Sequence, residues 1–166
     1  MSRTAIRFAT RDDLPLILHL IQALAEYERL ADACVATENL LDASLFGPSP
    51  AAEVLIAERE GEPAGFALFC HNYSTFLARR GIWLEDLFVL PEQRGHGIGR
   101  ALLVRLAQLA VERDCGRLEW AVLDWNTPAI GFYRSLGAEP LDEWTTFRVT
   151  GAALDRLARG TPDGGH

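Results

Sequence analysis

The sequence predicts a mixed α/β fold: a single domain over residues 1–160, built on one central sheet with helices on both faces, followed by a flexible tail at 161–166. Three observations predict it. Short β-branched and aromatic runs alternate with stretches of helical spacing, in the order strand, helix, helix, a run of strands, helix, strand, helix, strand. A chain of 166 residues, 49% hydrophobic and 23% charged, is large enough to bury one core and has an ordinary globular composition. A glycine-rich turn, Arg94-Gly-His-Gly-Ile-Gly99, joins the last of the central strands to an amphipathic helix.

Each element follows from its residues. Residues 3–9 read as a short strand, after which Thr10 and Asp13 form a capping box. Leu14, Ile17, Leu18, Ile21, Leu24 and Ala25 recur at helical spacing, so residues 11–29 form an amphipathic helix. Its last turn carries Glu26 and Glu28, which is unfavourable at the negative end of a helix dipole. Either that end is solvated or it is a rim that binds a cation. A second short helix over 37–46 closes at Gly47-Pro-Ser-Pro50. Residues 53–58 and 64–72 make a hairpin around the turn at 60–63, and 81–90 adds a third strand. From Gly97 the stripe Ile98, Leu102, Leu106 and Leu109 marks a helix that breaks at 114–116. Residues 117–123 read as a strand. Asn126-Thr-Pro128 starts a helix, with Thr127 as its expected cap, and Gly137 ends it. Residues 144–149 are β-branched and aromatic and read as a final strand, and 151–159 as a short helix.

Composition excludes several classes. Net charge is −7, which argues against a nucleic-acid partner and suits a cationic one. No apolar run reaches membrane-spanning length and no signal-peptide pattern opens the chain, so a cytoplasmic location is expected. Cys34, Cys70 and Cys115 are odd in number and widely spaced, and His19, His71, His96 and His166 are scattered. Neither set forms a metal-ligand motif, and no metal is expected.

The chemistry concentrates between Trp83 and Arg100. A helix N-terminus offers unpaired N–H groups and a partial positive charge, and is a natural phosphate cradle. Three glycines and an arginine at such a start favour close backbone approach to an anion. The G-x-G-x-G spacing is not a dinucleotide fingerprint, and the G-K-[ST] of a Walker loop is absent. Glu85 and Asp86 lie inside the preceding strand, where adjacent residues are expected on opposite faces. At least one carboxylate then faces a covered side and needs either an arginine partner or a water-filled cleft. The nearby turn favours the cleft. On residue type alone, Tyr133 reads as half-buried packing beside Ile130, Phe132 and Leu136.

Together these residues resemble the GNAT superfamily of acetyl-CoA-dependent N-acetyltransferases. Its pyrophosphate signature, [Q/R]-x-x-G-x-[G/A], is matched by Arg94-Gly-His-Gly-Ile-Gly99. Trp83-Leu-Glu-Asp-Leu-Phe-Val89 and Asp124-Trp-Asn-Thr-Pro-Ala-Ile-Gly-Phe-Tyr-Arg-Ser-Leu-Gly-Ala138 are similar to the diamine acetyltransferase branch, which includes spermidine/spermine and thialysine acetyltransferases. The resemblance spans roughly residues 4–158.

The resemblance implies the following roles. Acetyl-CoA would lie on the backbone of Leu87, Phe88 and Val89, on Arg94, Gly95, His96, Gly97, Ile98, Gly99 and Arg100, and beside Asn126 and Tyr133. Glu85 would accept the amine's proton, directly or through water, and Tyr133 would protonate the departing thiolate. Tyr27, Glu28, Trp83, Glu85 and Asp86 would surround the amine. Attack would be direct, in a ternary complex, and the enzyme a homodimer acting on a small cationic amine. The loop Pro140-Leu-Asp-Glu-Trp144 and the turn at 59–63 are shorter than in the polyamine enzymes, so a polyamine, thialysine or another amino acid remain open as acceptors. A peptide amine and a non-catalytic acyl-CoA-binding module are the alternatives.

Overall fold

The computed structural model describes residues 3–160. The elements are β1 (Thr4–Phe8), α1 (Leu14–Tyr27), α2 (Glu38–Leu45), β2 (Glu53–Arg59), β3 (Glu62–Ser74), β4 (Arg79–Val89), α3 (Ile98–Glu112), β5 (Leu118–Trp120), α4 (Thr127–Ser135) and α5 (Gly151–Ala158). Single 3₁₀ turns lie at Arg11–Asp13, Ala31–Ala33 and Pro91–Gln93. The fold is the expected mixed α/β class. Two compact units are formed, one up to Leu123 and one from Asp124 onward.

The first unit holds the sheet, in the order β1-β2-β3-β4-β5. β1 to β4 run antiparallel, and β5 joins β4 in parallel through Ile82–Leu118, Trp83–Glu119 and Leu84–Trp120. The β2–β3 hairpin closes on Glu60 and Gly61, both at positive φ (54° and 84°). That is the two-residue turn whose twist matches the flanking strands. At the start of α1 the predicted capping box forms, and the Thr10 amide donates to Asp13 Oδ2 at 2.7 Å. Arg7 donates two bonds to the same carboxylate (2.7 and 2.9 Å), tying β1 to the helix start and lowering the Asp13 pKa to about 2.

Alternation along the strands divides the apolar residues between two faces. Leu14, Ile17, Leu20 and Leu24 of α1, with Leu41 and Leu45 of α2, pack on Val54, Ile56, Phe66 and Phe88. α3 supplies Ile98, Leu102, Leu106 and Leu109 to the other face, all buried. Burying each such side chain is worth about 1.5–3 kcal/mol. Leu20 belongs to the α1 stripe although the spacing had not singled it out. Gly65 of β3 is required by crowding: a Cβ there would collide with the Phe88 carbonyl oxygen.

In the second unit, α4 is capped by Asn126, not Thr127. The Asn126 side-chain oxygen accepts from the Ala129 amide at 3.4 Å, and Thr127 is the first helical residue. An Asn side-chain carbonyl reaches the first-turn amide, which leaves the following Thr-Pro to enter the helix. Gly137 ends the segment at φ 86°, as expected. Residues 144–149 form no strand, contrary to expectation. Their β-branched and aromatic side chains favour a pleated, half-buried surface, but a strand needs a neighbouring edge. Among the described residues no strand pairs with them, and Phe147 is fully open to solvent at 91%. The helix over 151–159 is present as α5, and the 161–166 tail lies outside the described residues, as does His166.

Candidate active site

The site is organised by an irregularity in β4. Asp86 lies opposite Leu68 of β3, yet Leu84 lies opposite Phe69, so Glu85 is an extra residue with no cross-strand partner. This is a β-bulge, which bends the strand and re-aims side chains. Its consequence overturns the expectation that Glu85 and Asp86 point to opposite faces. The Glu85 charge acts on Asp86, on Glu28 at the end of α1 and on Cys70 of β3. All four groups therefore share one neighbourhood, on the face covered by α1.

No ion pair among the described residues includes Glu28, Glu85 or Asp86. The arginine-partner alternative is thus not realised. Burial, reinforced by the Glu85 and Glu28 charges, pushes the Asp86 pKa from 3.8 to about 6. Burial and then Glu85 raise Glu28, and the same two causes raise the Cys70 thiol. Glu28 is also the C-cap of α1, at the negative end of the helix dipole. Glu85 itself is exposed, and the Trp83 indole Nε1 donates to its Oε2 at 2.8 Å. Among the described residues no recorded ion pair neutralises this cluster, a negatively charged patch that suits an ammonium group.

One edge of β4 is open beside this cluster. β5 pairs only with Ile82–Leu84, so the backbone from Glu85 to Val89 has no strand neighbour on that side among the described residues. Leu87 and Val89 turn their backbone groups to this edge and offer them to an extended ligand, the Val89 carbonyl also accepting from Arg94, while Phe88 pairs its backbone with β3 and spends its side chain in the core.

The glycine turn follows directly. Gly95 and Gly97 sit in the left-handed region (φ 81° and 75°), and Gly97 caps the start of α3. A Cβ at either position would meet nothing within 4 Å. Both glycines are therefore required by backbone conformation, and the space before the helix is free. No acidic residue occupies the first turn of α3. Arg94, His96 and Arg100 are exposed around it, Gly99 is half-buried, and Ile98 turns into the core. Free first-turn amides, two left-handed glycines and open space fit a pyrophosphate.

Arg94 is held from behind. Its Nε donates to the Val89 carbonyl at 3.0 Å, and its guanidinium lies 4.9 Å from the Tyr27 ring centroid and 5.5 Å from that of Phe88. The stacking on Tyr27 was not legible in the sequence, because it joins α1 to the turn only in the packed fold, whereas the Trp83–Glu85 bond joins residues two apart on one strand face, a spacing that could have found it. In the second unit, Tyr133 is half-buried near the end of α4, with the Phe132 ring 5.6 Å away. Asn126 spends its side-chain oxygen on the α4 cap. No cluster of metal-ligating side chains occurs among the described residues. Among the described residues no helix is long and apolar enough to cross a membrane.

A family model described as the acetyltransferase (GNAT) family matches residues 18–138. The chain belongs to that family. It is 41% identical, over 95% of its length and 99% of the relative's, to the thialysine N-epsilon-acetyltransferase of Bos taurus. It is 34% identical to the L-ornithine N5-acetyltransferase of Arabidopsis thaliana, covering 92% of this chain and 86% of that one. A solved integron cassette protein from V. cholerae superposes with a TM-score of 0.79 at 28% identity, over 94% of this chain and 98% of that one. The acetyltransferase expectation, and with it the diamine acetyltransferase branch, is upheld by these relatives.

Proposed function

We propose that the protein transfers an acetyl group from acetyl-CoA to a primary amine of a small cationic substrate. The observation that carries this reading is the set of three carboxylates, Glu28, Glu85 and Asp86, gathered by the β4 bulge next to an open strand edge and a phosphate-type turn. The Bos taurus and Arabidopsis relatives are named for thialysine and L-ornithine, both cationic amino acids, and support this class of acceptor over a larger one.

Acetyl-CoA supplies the activated acetyl thioester. The chain's own residues do the rest. The first-turn amides of α3, with Arg94 and the Gly95–Gly99 backbone, bind the pyrophosphate. The open edge at Leu87 and Val89, on either side of Phe88, aligns the extended arm, and an N–H of this edge stabilises negative charge on the reacting carbonyl oxygen. Asn126 is assigned to the cofactor by the family resemblance alone. Asp86 and Glu28 hold the substrate's ammonium groups, with Tyr27 and Trp83 lining the same pocket. An alkyl ammonium has a pKa of about 10.4 and must lose a proton before it attacks. Glu85, exposed and oriented by Trp83, takes that proton directly or through water. Tyr133 returns a proton to the leaving sulfur. No covalent acyl-enzyme is required.

The same reading treats residues 1–160 as one acetyltransferase domain working in the cytoplasm as a homodimer. The exposed Trp144, Phe147 and Leu157 side chains support self-association, which sedimentation tests. The decisive experiment is thiol release from acetyl-CoA over a panel of thialysine, ornithine, lysine, spermidine, putrescine and a basic peptide. Turnover with one small amine upholds the reading. Turnover with the peptide alone, or acetyl-CoA binding without turnover on any, overturns it.

A further inference from the structure

We propose that Tyr27 is a positioning residue for the phosphate turn, acting through Arg94. The proposal rests on the acetyl-CoA reading above, and it gives Tyr27 a role at the acetyl-CoA end in addition to its place beside the amine.

The geometry is specific. Arg94 opens the turn, and as an exposed residue on a long flexible stem it would otherwise sample many rotamers. Three contacts restrict it. Phe88 presents its ring from the core, 5% exposed, and is fixed there. The Tyr27 ring lies 6.3 Å from the Phe88 ring, tilted by 52°, so the two form a notch around the guanidinium. The Val89 carbonyl accepts from Nε. A guanidinium stacks through its face and donates through its edge, and the two uses do not compete. With its face against Tyr27 and its Nε on Val89, the Nη donors remain for an anion at the turn. A side chain held ready in this way binds more tightly than one that must be ordered on arrival.

The contact also has a second end. Tyr27 is the last residue of α1, and Glu28 follows it as the helix cap. The ring that stacks on Arg94 and the carboxylate that enters the acid cluster thus hang from adjacent backbone positions.

The test is calorimetric binding of coenzyme A alone, with no amine present, to the full chain and its variants. Tyr27→Phe keeps the ring face and is expected to bind within about twofold of the wild type. Tyr27→Leu is expected to weaken binding about five- to tenfold. Arg94→Gln weakens it as well, and adding Tyr27→Leu to Arg94→Gln produces no further loss. Arg94→Lys, which keeps the charge but has no flat face, should bind less tightly than the wild type. Coenzyme A affinity unchanged in Tyr27→Leu, with only the amine KM raised, overturns the proposal and leaves Tyr27 as an amine contact. Additive losses in the double variant overturn it too. Should Tyr27→Leu fail to fold, wild-type affinity in Arg94→Lys overturns it independently. A wild-type protein that does not bind coenzyme A at all overturns the function reading first, and this proposal with it.

Discussion

Replacing Asp86 with asparagine separates the site's electrostatic cost from its function. Asp86 is half-buried beside two other carboxylates, and its pKa rises from 3.8 to about 6. Between those values the native chain holds a proton that the unfolded chain has released. Native-state stability therefore falls as pH rises through this window, and the full cost is present above pH 6. A shift of about 2 units corresponds to about 3 kcal/mol. Partial solvent access reduces this to about 1–2 kcal/mol. Asp86→Asn keeps the side-chain shape and removes the charge. At pH 8 the variant should be more stable than the wild type by about 1–2 kcal/mol, or about 2–8 °C in Tm. At pH 4.5, where the native Asp86 is already protonated, the gain should shrink. Turnover should move the other way, with the amine KM raised about tenfold and the acetyl-CoA KM unchanged. Urea unfolding at the two pH values, paired with steady-state kinetics, reads both effects. A variant less stable than the wild type at pH 8 would refute the reasoning, because it would mean that the Asp86 carboxylate already has a favourable partner in the free protein.

Three further outcomes are expected. Tyr133→Phe should lower kcat about 100-fold or more while coenzyme A affinity stays within a few-fold; unchanged kcat removes Tyr133 as the proton donor. Gly97→Asp should abolish coenzyme A binding by placing a charge in the open space before α3, whereas Gly97→Ala, which carries only the backbone strain of a left-handed residue, should retain part of it; equal losses would mean that conformation and not anion binding governs the turn. Leu102→Ala, in the middle of the fully buried α3 stripe, should cost about 2–5 kcal/mol in chemical denaturation without changing the substrate KM values of the folded fraction.

Most of the architecture was written in local pattern. The stripe Ile98, Leu102, Leu106, Leu109 defined α3 and its buried face, and Thr10 with Asp13 formed the predicted box. The phosphate turn was legible for the same reason: a left-handed backbone at Gly95 and Gly97 and a helix start at Ile98 are properties of a few consecutive residues. Two local expectations failed for identifiable causes. Asn126 displaced Thr127 as the α4 cap because both residue types can accept a first-turn amide and only position decides between them. Residues 144–149 have strand-like side chains, but strand formation depends on an edge that the local sequence does not specify.

The sequence by itself determined the fold class, the acetyltransferase family and the left-handed glycine turn before α3, because periodicity, glycine conformation and helix capping act over neighbouring residues. The tertiary structure decided how the acids meet. A strict two-residue strand period would have sent Glu85 and Asp86 apart, and only the slipped register against Leu68 and Phe69 turned them to one neighbourhood with Glu28. It also decided that Tyr27, Phe88 and Arg94 form one stack, since residues far apart in the chain touch only when helix and strand are packed. Pairing register and side-chain stacking are energies between distant segments, and they come into being only with the packed fold.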